Sequence, residues 1–442
     1  MPTIENTRVA AVVMAAGLGT RMRSDVPKHL HPLLGRRVVD WVLAAAKELG
    51  ADPLVVVATP STAGAFDGVE VTVQEQPLGT GDAVRTARPA LEGRAGDVLV
   101  LSGDAPLLTP KLLGELIATH REQDAVATVL SFEPDDPREY GRVLRNGDGA
   151  LAAIVEARDA TREQLAVREV NSSIYVFQSD RLWPVLEQLV PHNAQGELYL
   201  TDSVALLAGA GGRVAVHKGG DAMEGEGVNT RVELAAAAAA MRDRINEAHM
   251  LSGVTIVDPR STWIDADVTI EPDAVIHPFT VIRGSSRVAA GAEIGPHSVV
   301  VDAEVGAGVM VGPFCYLRPG TKLGAGAKAG TFVEIKNSVI GERTKVPHLS
   351  YIGDADIGED SNVAASNVTV NLDHATGTKG RTTIGRNVRT GVDNAFVAPV
   401  NVGDDAWIAA GSVITEDVPP GSLAIARARQ VNKEGRGGNR DD

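Results

Sequence analysis

The chain has 442 residues, more than one hydrophobic core usually organises, so two domains are expected. Its formal net charge of −15 argues against a general nucleic-acid binder, although local Lys and Arg residues can still hold an anionic substrate. Cys315 is the only cysteine, which excludes an intrachain disulfide and fits a reducing compartment. No apolar run approaches the ~20 residues that cross a bilayer, and Met1–Asn6 has no secretory signal pattern. These features predict a cytoplasmic protein.

The first half of the chain alternates short apolar runs with helical stretches. Strands are predicted at Val9–Met14, Pro53–Ala58, Asp97–Leu101 and Ala125–Phe132, and helices at Val38–Leu49 and Leu112–Gln123. This alternation predicts an α/β domain over residues 1–230, built on a mostly parallel, doubly wound sheet. Ligands of such sheets bind at the carboxyl ends of the strands.

The segment 231–250 has a different composition. It contains the alanine run Ala235–Ala240 among scattered charges. Alanine is the best helix former, so the segment is predicted to be a helix of roughly five or six turns. We expect this helix to link two domains.

Residues 251–427 carry an internal repeat. Aliphatic residues recur every six positions at Ile264, Ile270, Ile276, Ile282, Val288, Ile294 and Val300, and after a one-residue slip at Val305, Val311, Leu317 and Leu323. A fixed six-residue step predicts stacked triangular coils, with three steps per turn and the aliphatic side chains inside. An ordinary sandwich of short strands does not explain a constant period of this kind.

Two segments lack the repeat. Residues 371–382 interrupt it and are predicted to project as a loop, a common place for functional residues. The segment 428–442 is polar and rich in glycine, and it is predicted to be a flexible tail.

A glycine-containing motif follows the first predicted strand. Gly17 and Gly19 let backbone N–H groups approach phosphate oxygens, while Arg21 and Lys28 supply positive charge. A tight turn between strand and helix is the simpler explanation of two glycines. The motif is not a Walker A loop, and it lacks the third glycine of the dinucleotide fingerprint. The whole string Ala-Ala-Gly-Leu-Gly-Thr-Arg-Met, followed by Pro-Lys, resembles the signature of sugar-1-phosphate nucleotidyltransferases.

Asp104 ends another predicted strand within the sequence Gly-Asp-Ala-Pro. A carboxylate in this position is well placed to bind Mg²⁺. An isolated Asp here would more often cap a helix, but the Gly-Asp-x-Pro context favours the metal.

The resemblance to nucleotidyltransferases implies roles for further residues in the first half. Ala16 and Gly17 would contact the nucleotide, and Gln74, Gly79 and Thr80 would surround the uracil of UTP. Asn229 would join Asp104 on Mg²⁺. The N-acetylglucosamine moiety would be bound by Gly141, Glu156, Asn171, Tyr199 and Thr201. Taken alone, Asn171 and Asn229 would more often be turn or cap residues.

The whole chain resembles the bifunctional glucosamine-1-phosphate acetyltransferase/N-acetylglucosamine-1-phosphate uridylyltransferase family, on three further segments: 316–320, 332–337 and 348–354. The resemblance implies that the repeat is a left-handed parallel β-helix, that acetyl-CoA and UTP are co-substrates, and that the product is the cell-wall precursor UDP-N-acetylglucosamine. It also implies a homotrimer. His348 would be the general base. The acetyltransfer substrates would be bound by Arg318, Lys336, Tyr351, Asn362, Asn371, Lys379 and Ala410.

The chain departs from the family pattern at Leu372, His374 and Val392, around and after the interrupted segment. His374 is therefore an alternative proton acceptor. Two other interpretations remain open at this stage: a nucleotidyltransferase with one activity, whose β-helix is structural and trimerises the protein, or a solenoid that binds another protein. Arg318, Lys336 and His348 favour two activities, because an architectural β-helix does not require them.

Overall fold

The computed structural model describes residues 8–17, 19–147, 149–193 and 195–434. The expectations for Met1–Asn6 and for residues 435–442 of the tail lie outside the described residues. The chain forms two compact units, Met1–Met241 and Arg242–Asp442. Across the described ranges, no helix combines the length and the apolar character needed to span a membrane.

The first unit contains a nine-stranded sheet in the order β11-β7-β10-β6-β1-β4-β5, with β8 attached to β10 and β9 attached to β8; β2 and β3 form a separate hairpin. The strands are β1 Val9–Ala15, β2 Pro32–Leu33, β3 Arg36–Arg37, β4 Leu54–Ala58, β5 Glu70–Val73, β6 Asp97–Ser102, β7 Ala127–Phe132, β8 Arg142–Arg145, β9 Leu151–Val155, β10 Val170–Gln178 and β11 Val214–Lys218. The four strands predicted from the sequence are thus β1, β4, β6 and β7.

Helices cover both faces of this sheet. The helices of the described chain are α1 Val38–Glu48, α2 Thr80–Thr86, α3 Arg88–Leu91, α4 Pro110–Glu122, α5 Arg162–Leu165, α6 Ser179–Leu186, α7 Leu200–Gly209 and α8 Arg231–Leu251, with short 3-10 helices at Thr20–Met22, Lys28–Leu30, Ala63–Ala65 and Ala222–Gly225. Alternate residues of the central strands enter two separate cores, one with α1 and α4 and the other with α2, α6 and α7. Both faces of the central strands are therefore buried, which explains their continuous apolar runs.

The sheet is mixed rather than uniformly parallel. β1 pairs in parallel with β4 and β6, whereas β10 runs antiparallel to both β6 and β7. The pairing of β10 with β7 shifts register between Asn171 and Tyr175, where Ser173 has a left-handed φ of 62°. Alternation of apolar runs does not encode strand direction, so the sequence could not predict this reversal.

The second unit is a left-handed parallel β-helix with three faces. The first face contains Thr255–Ile256, Val275–Ile276, Glu293–Ile294, Met310–Val311, Lys328–Thr331, Lys345–His348, Arg389–Thr390, Trp407–Ile408 and Leu423–Ala424. The second contains Trp263–Ile264, Val281–Arg283, Val299–Val301, Tyr316–Leu317, Glu334–Lys336, Tyr351–Gly353, Val368–Val370, Ala395–Val397 and Val413–Ile414. The third contains Thr269–Ile270, Arg287–Val288, Glu304–Val305, Lys322–Leu323, Val339–Ile340, Ala355–Ile357, Thr382–Ile384 and Val400–Val402.

The predicted repeat positions form the core of the β-helix. Every aliphatic residue of the six-residue series from Ile264 to Leu323 is at most 8% exposed. The register pairs each with its equivalent 17 or 18 residues later, as in Leu317 with Ile335. A single interior column per face therefore stabilises each coil against the next.

Residues 371–381 form a hairpin that extends from the coil, as predicted for the interrupted segment. Leu372 pairs with Lys379 in an antiparallel bridge, and Asp373 N donates to Thr378 O at 2.9 Å. The coil resumes at Thr382, whose N–H donates to Asp354 O.

One corner of the β-helix carries stacked rings that we call the aromatic ladder: Phe279, His297, Phe314 and Phe332. Successive ring centroids are 4.7, 4.9 and 5.2 Å apart, with the rings within 15° of parallel. The three phenylalanines are about half exposed, and Leu349 continues the ladder in the next coil. The corner thus presents a continuous and largely apolar strip, in which His297 is the one polar ring of the four.

Candidate active sites

The predicted nucleotide residues meet at the carboxyl edge of the sheet. Gly17 follows β1, Gln74 follows β5 and Asp104 follows β6. Because β10 is antiparallel, its first residues lie at this edge, which brings Asn171 there as well. This is the edge at which open α/β sheets bind ligands.

Lys28, Asp104 and Asn229 converge on one point. The Lys28 ammonium donates to Asp104 Oδ2 and, at 2.8 Å, to Asn229 Oδ1. Ser102 Oγ donates to the other carboxylate oxygen of Asp104 at 2.6 Å. The two oxygen donors thus already surround a positive charge, although they are 125 residues apart in the sequence.

Asp104 is kept ionised by these contacts. Burial alone would raise its pKa, but the charge of Lys28 and hydrogen bonds from Lys28 and Ser102 hold the pKa below its ordinary value. The carboxylate is therefore negatively charged at neutral pH in spite of its burial.

The glycine loop packs against the same lysine. Gly19 has a left-handed φ of 62°, and a Cβ placed on it would lie 2.9 Å from Lys28 Cβ. Only glycine fits both constraints. Leu18, between the two glycines, lies outside the described residues.

The predicted uracil-binding residues are close together, but some of their polar groups have partners within the protein. Gln74 Nε2 donates to Gly79 O and Asp82 Oδ2 at 3.2 and 2.8 Å. Gly79 has φ 117°, and a Cβ there would lie 2.5 Å from Leu198 O. Thr80 Oγ1 accepts from Leu200 N at 3.0 Å. Thr80 thus fixes the start of α7, a role that the sequence did not predict.

A cavity of about 340 Å³ lies beside this loop, lined by Ala16, Gly17, Gln74 and His29 among others. His29 stacks on Phe66, and burial, followed by the charge of Lys28, lowers its pKa to about 4. His29 is therefore neutral at physiological pH and adds no charge to the cavity.

A second cavity, of about 260 Å³, is lined by Arg21, Tyr140, Glu156 and Asn229 among others. Burial raises the pKa of Glu156, with further contributions from Asp159 and Asp202, while a hydrogen bond from Thr201 opposes the shift. Hydrogen-bonding groups of this kind suit the hydroxyls of a sugar.

Four other predicted site residues differ in whether other groups of the protein already contact them. The hydroxyl of Tyr199 is buried and has no partner among the described residues. A Cβ on Gly141 would lie 3.3 Å from Glu156 Oε1. Arg21 is half exposed and paired with Glu139 at 2.8 Å. Asn171 donates to Tyr175 OH and accepts from Ser173 N, so its side chain already has partners within β10.

Sequence reasoning missed several residues of this site. Tyr140 OH accepts from Gly227 N at 3.0 Å, and Glu233 accepts from the backbone N–H of Asn229 at 2.7 Å. The signal for Glu233 was present, since Thr230 and Glu233 have the spacing of a capping box. A larger cavity of about 1040 Å³ lies at the opposite edge of the sheet, beside Asp97 and Trp183, and contains none of the predicted site residues.

In the second unit, Arg318 and Lys336 occupy equivalent positions in successive coils of the second face. Each follows an inward residue, Leu317 or Ile335, and these two are paired in register. The two cations are therefore stacked at roughly the 4.8 Å spacing of neighbouring strands. Glu334 Oε1 accepts from Arg318 at 2.7 Å, which orients the guanidinium.

His348 ends the last long strand of the first face, at the corner before the second face. It is exposed and pairs with Thr331 of the preceding coil. Tyr351 begins the next strand of the second face, so it lies between His348 and the position equivalent to Lys336, which is Gly353. Continued register places Val392 and Ala410 in the same column as His348, several coils later.

Asn371 and Lys379 are connected to the second face of the β-helix through Asp354. Asp354 accepts hydrogen bonds from the side-chain amides of Asn337 and Asn371. Burial would raise its pKa, but these bonds and the charges of Lys336 and Lys379 lower it. The hairpin is therefore fixed to the coil next to the one that carries Lys336, since Asp354 N donates to Lys336 O at 3.0 Å.

Asn362 does not lie on the second face of the β-helix, where Arg318 and Lys336 are. Its backbone bridges Lys345 and Arg389 on the first face, three positions before the column of His348. Within one chain, the structure does not bring Asn362 to Arg318 and Lys336. Across the described residues of both units, no three His, Cys, Asp or Glu side chains cluster as a metal site.

Comparison with known proteins supports the resemblances seen in both halves of the sequence. Residues 11–205 match the MobA-like NTP transferase domain family. Proteins named Bifunctional protein GlmU from Streptomyces coelicolor and Streptomyces avermitilis are each 49% identical, over 96% of this chain and 93% of the relative. One from Mycobacterium tuberculosis is 48% identical, over 96% and 91%. Relatives with this name favour two activities over the interpretation with one activity. The chain therefore belongs to the GlmU family of bifunctional proteins.

Proposed function

We propose that the chain acetylates glucosamine-1-phosphate with acetyl-CoA and then transfers UMP from UTP to the N-acetylglucosamine-1-phosphate formed, releasing pyrophosphate. The first unit performs the uridylyl transfer and the β-helix performs the acetyl transfer. The observation that carries the proposal is the convergence of Lys28, Asp104 and Asn229 at the carboxyl edge of the sheet. The stacked cations on the second face of the β-helix support the acetyl transfer.

Uridylyl transfer requires positioning and charge neutralisation rather than a covalent enzyme intermediate. A phosphate oxygen of the sugar attacks the α-phosphorus of UTP, and the bond to the β-phosphate oxygen breaks. Lys28 lies where its ammonium can bind the non-bridging oxygens, and the Gly17–Gly19 loop offers backbone donors. Glu156 and Tyr199 hold the sugar.

Asp104 and Asn229 would hold Mg²⁺. The two oxygen ligands suit this cation, which usually takes few protein ligands and completes its shell with water and substrate phosphates. That the two oxygens already surround the Lys28 ammonium supports the fit. When bound, the ion supplies charge neutralisation at the phosphates.

Acetyl transfer requires a base. The amine of glucosamine-1-phosphate attacks the thioester carbon and its proton passes to His348; the C–S bond breaks, and the CoA thiolate takes that proton from His348 to leave as the thiol. Arg318 and Lys336 bind the sugar phosphate, as paired cations suit a phosphate. Tyr351, between them and His348, contacts the sugar, while Asn371 and Lys379 close the site from the hairpin.

The protein assembles as a homotrimer, with the aromatic ladder at the contact between copies. Exposed apolar strips of this length favour self-association, and closed symmetry accounts for most homo-oligomers. A second copy could also bring Asn362 and Ala410 to the face of its neighbour.

Light scattering should give three times the chain mass of 46.2 kDa. Phe314→Asp should reduce that mass, and a monomeric wild type would refute the assembly.

Both activities can be tested separately on the purified protein. Pyrophosphate release is measured with UTP and N-acetylglucosamine-1-phosphate, and thiol release with acetyl-CoA and glucosamine-1-phosphate. Both assays should be positive. Pyrophosphate release without thiol release would instead support a structural β-helix.

A further inference from the structure

One carboxylate holds the start of α8. Thr230 Oγ1 accepts from Glu233 N at 3.2 Å, and Glu233 Oε2 accepts from Thr230 N at 2.8 Å. This reciprocal pair is a capping box, which satisfies two backbone donors at the start of a helix.

Glu233 makes two contacts that capping does not require. Its Oε2 also accepts from Asn229 N at 2.7 Å, and its Oε1 accepts from Arg138 at 2.8 Å. The carboxylate is mostly buried, with 16% of the side chain exposed. Its position is therefore fixed from both sides, by α8 and by the segment that carries Arg138.

The segment held by Glu233 is the one that carries the predicted metal ligand. Asn229 Oδ1 accepts from Lys28 beside Asp104. Val228 N donates to Asp104 O at 2.8 Å, and a Cβ on Gly227 would lie only 3.1 Å from Asp104 Oδ1. The backbone here packs so closely that a small shift at Asn229 moves its amide oxygen away from Asp104.

We propose that Glu233 is a positioning residue of the uridylyl site, which fixes the backbone of Asn229 so that its amide oxygen and the Asp104 carboxylate converge on one divalent cation. The inference rests on the proposed uridylyl transfer. Glu233 also lines the cavity of about 260 Å³ beside Asn229, but in this proposal it acts through the backbone of Asn229 and is not a ligand of the cation.

The test is Mn²⁺ binding to the full-length chain, measured by electron paramagnetic resonance with UDP-N-acetylglucosamine present. Loss of a partner that orients a metal ligand typically weakens binding by ~10–100-fold. We expect Glu233→Ala to weaken Mn²⁺ binding by about tenfold or more, and the Mg²⁺ concentration giving half-maximal pyrophosphate release should rise by a similar factor.

Two further variants separate the effect of Glu233 on the position of Asn229 from the effect of its negative charge. Glu233→Gln keeps an oxygen that accepts from Asn229 but removes the charge, whereas Glu233→Asp keeps the charge but is one methylene too short. Positioning predicts that the Gln variant binds Mn²⁺ nearly as wild type and that the Asp variant binds it weakly. The opposite order would show that Glu233 acts only through its charge, and would overturn the proposal.

Gln164→Ala is the matched control. Gln164 occupies the same capping-box position after Thr161, accepting from Thr161 N at 2.8 Å on an exposed helix. It should lower the melting temperature slightly and leave Mn²⁺ binding unchanged. Thiol release, assayed on every variant, reports that the chain is folded.

The outcomes separate the two proposals. If Glu233→Ala and Glu233→Asp bind Mn²⁺ as wild type while the wild type releases pyrophosphate, Glu233 is only a helix cap and the inference fails. If the wild type releases no pyrophosphate, the proposed uridylyl transfer itself fails. Should Glu233→Ala not fold, the Asp and Gln variants decide.

Discussion

At the scale of single residues, the first unit places one partly buried cation between two side-chain oxygens. Lys28 contacts both Asp104 and Asn229. A buried carboxylate left without its partners would be costly, so this arrangement is stable only as a set. In the proposed uridylyl transfer, Lys28 exchanges these protein partners for phosphate oxygens.

Asp104→Asn should reduce pyrophosphate release by orders of magnitude, because an amide cannot replace the charge that binds the metal. Thiol release should stay near wild type. Asp97→Asn is the matched control, since Asp97 begins the same strand and is equally buried, at 7% exposed. Its loss of the Arg121 pair should cost stability but spare uridylyl transfer. Full pyrophosphate release by Asp104→Asn would rule out the metal assignment.

His348→Ala should lower the kcat of acetyl transfer by ~10²–10⁴-fold, the usual cost of removing a general base. KM values and pyrophosphate release should change little. His374→Ala, in the exposed hairpin, is the comparison and should remain active. If His374→Ala is inactive and His348→Ala keeps a normal pH profile, the base has been misassigned.

His29 predicts a pH dependence of stability. Its pKa is about 4 when folded, against about 6.5 in an unfolded chain. Between these values the unfolded chain binds more protons, so stability falls as the pH falls. His29 should thus cost roughly 2 kcal/mol between pH 8 and pH 5. Unfolding by urea should show a smaller change over this range in His29→Gln, and an unchanged pH slope would contradict the account.

At the scale of elements, the two units differ in how far sequence predicts structure. The inward positions of the β-helix follow directly from a period of six, because every coil repeats the same packing. The sheet of the first unit depends on contacts between distant strands. Neither the reversal of β10 nor the partners of Asn171 could be predicted from local pattern.

Prediction of the candidate sites from the sequence is limited in the same way, because contacts between distant residues do not show in a local pattern. Gly17, Lys28 and Asp104 could be predicted as site residues because they lie in short motifs. Asp354 ends the segment 348–354 that carries the resemblance, but its contacts emerge only because Asn337 and Asn371 are brought beside it by coil stacking. Asn362 lies on another face of its own chain for the same reason: spacing along the sequence does not show which face a residue occupies.

The hairpin 371–381 is held at its end by Arg381, which bonds Asp356 and donates to Asn337 O at 3.2 Å. Arg381→Ala should reduce acetyl-transfer kcat/KM by ~10-fold or more, because a shift of about 1 Å in a positioned group can cost 10²-fold. The melting temperature should hardly change, since exposed ion pairs contribute little. Arg343→Ala, which removes the exposed pair with Asp360, is the control. Equal activity in both variants would show that the hairpin needs no such anchor.

At the scale of the whole molecule, two units with separate cores carry the two candidate sites. The boundary between them, at Met241, falls within α8. A fragment ending at Met250 should therefore fold and release pyrophosphate from UTP and N-acetylglucosamine-1-phosphate, but it should not acetylate. An insoluble fragment, or one that still acetylates, would contradict this division.

The central claim is that one chain performs both steps in order. The most direct measurement incubates the full-length protein with glucosamine-1-phosphate, acetyl-CoA, UTP and Mg²⁺, and follows the nucleotide sugar by mass spectrometry. UDP-N-acetylglucosamine should accumulate with the full chain, and adding the fragment that ends at Met250 in its place should give none. Failure of the full chain to form UDP-N-acetylglucosamine from these substrates, while it still forms it from N-acetylglucosamine-1-phosphate, would contradict the account and leave the β-helix a structural part of a single-activity enzyme.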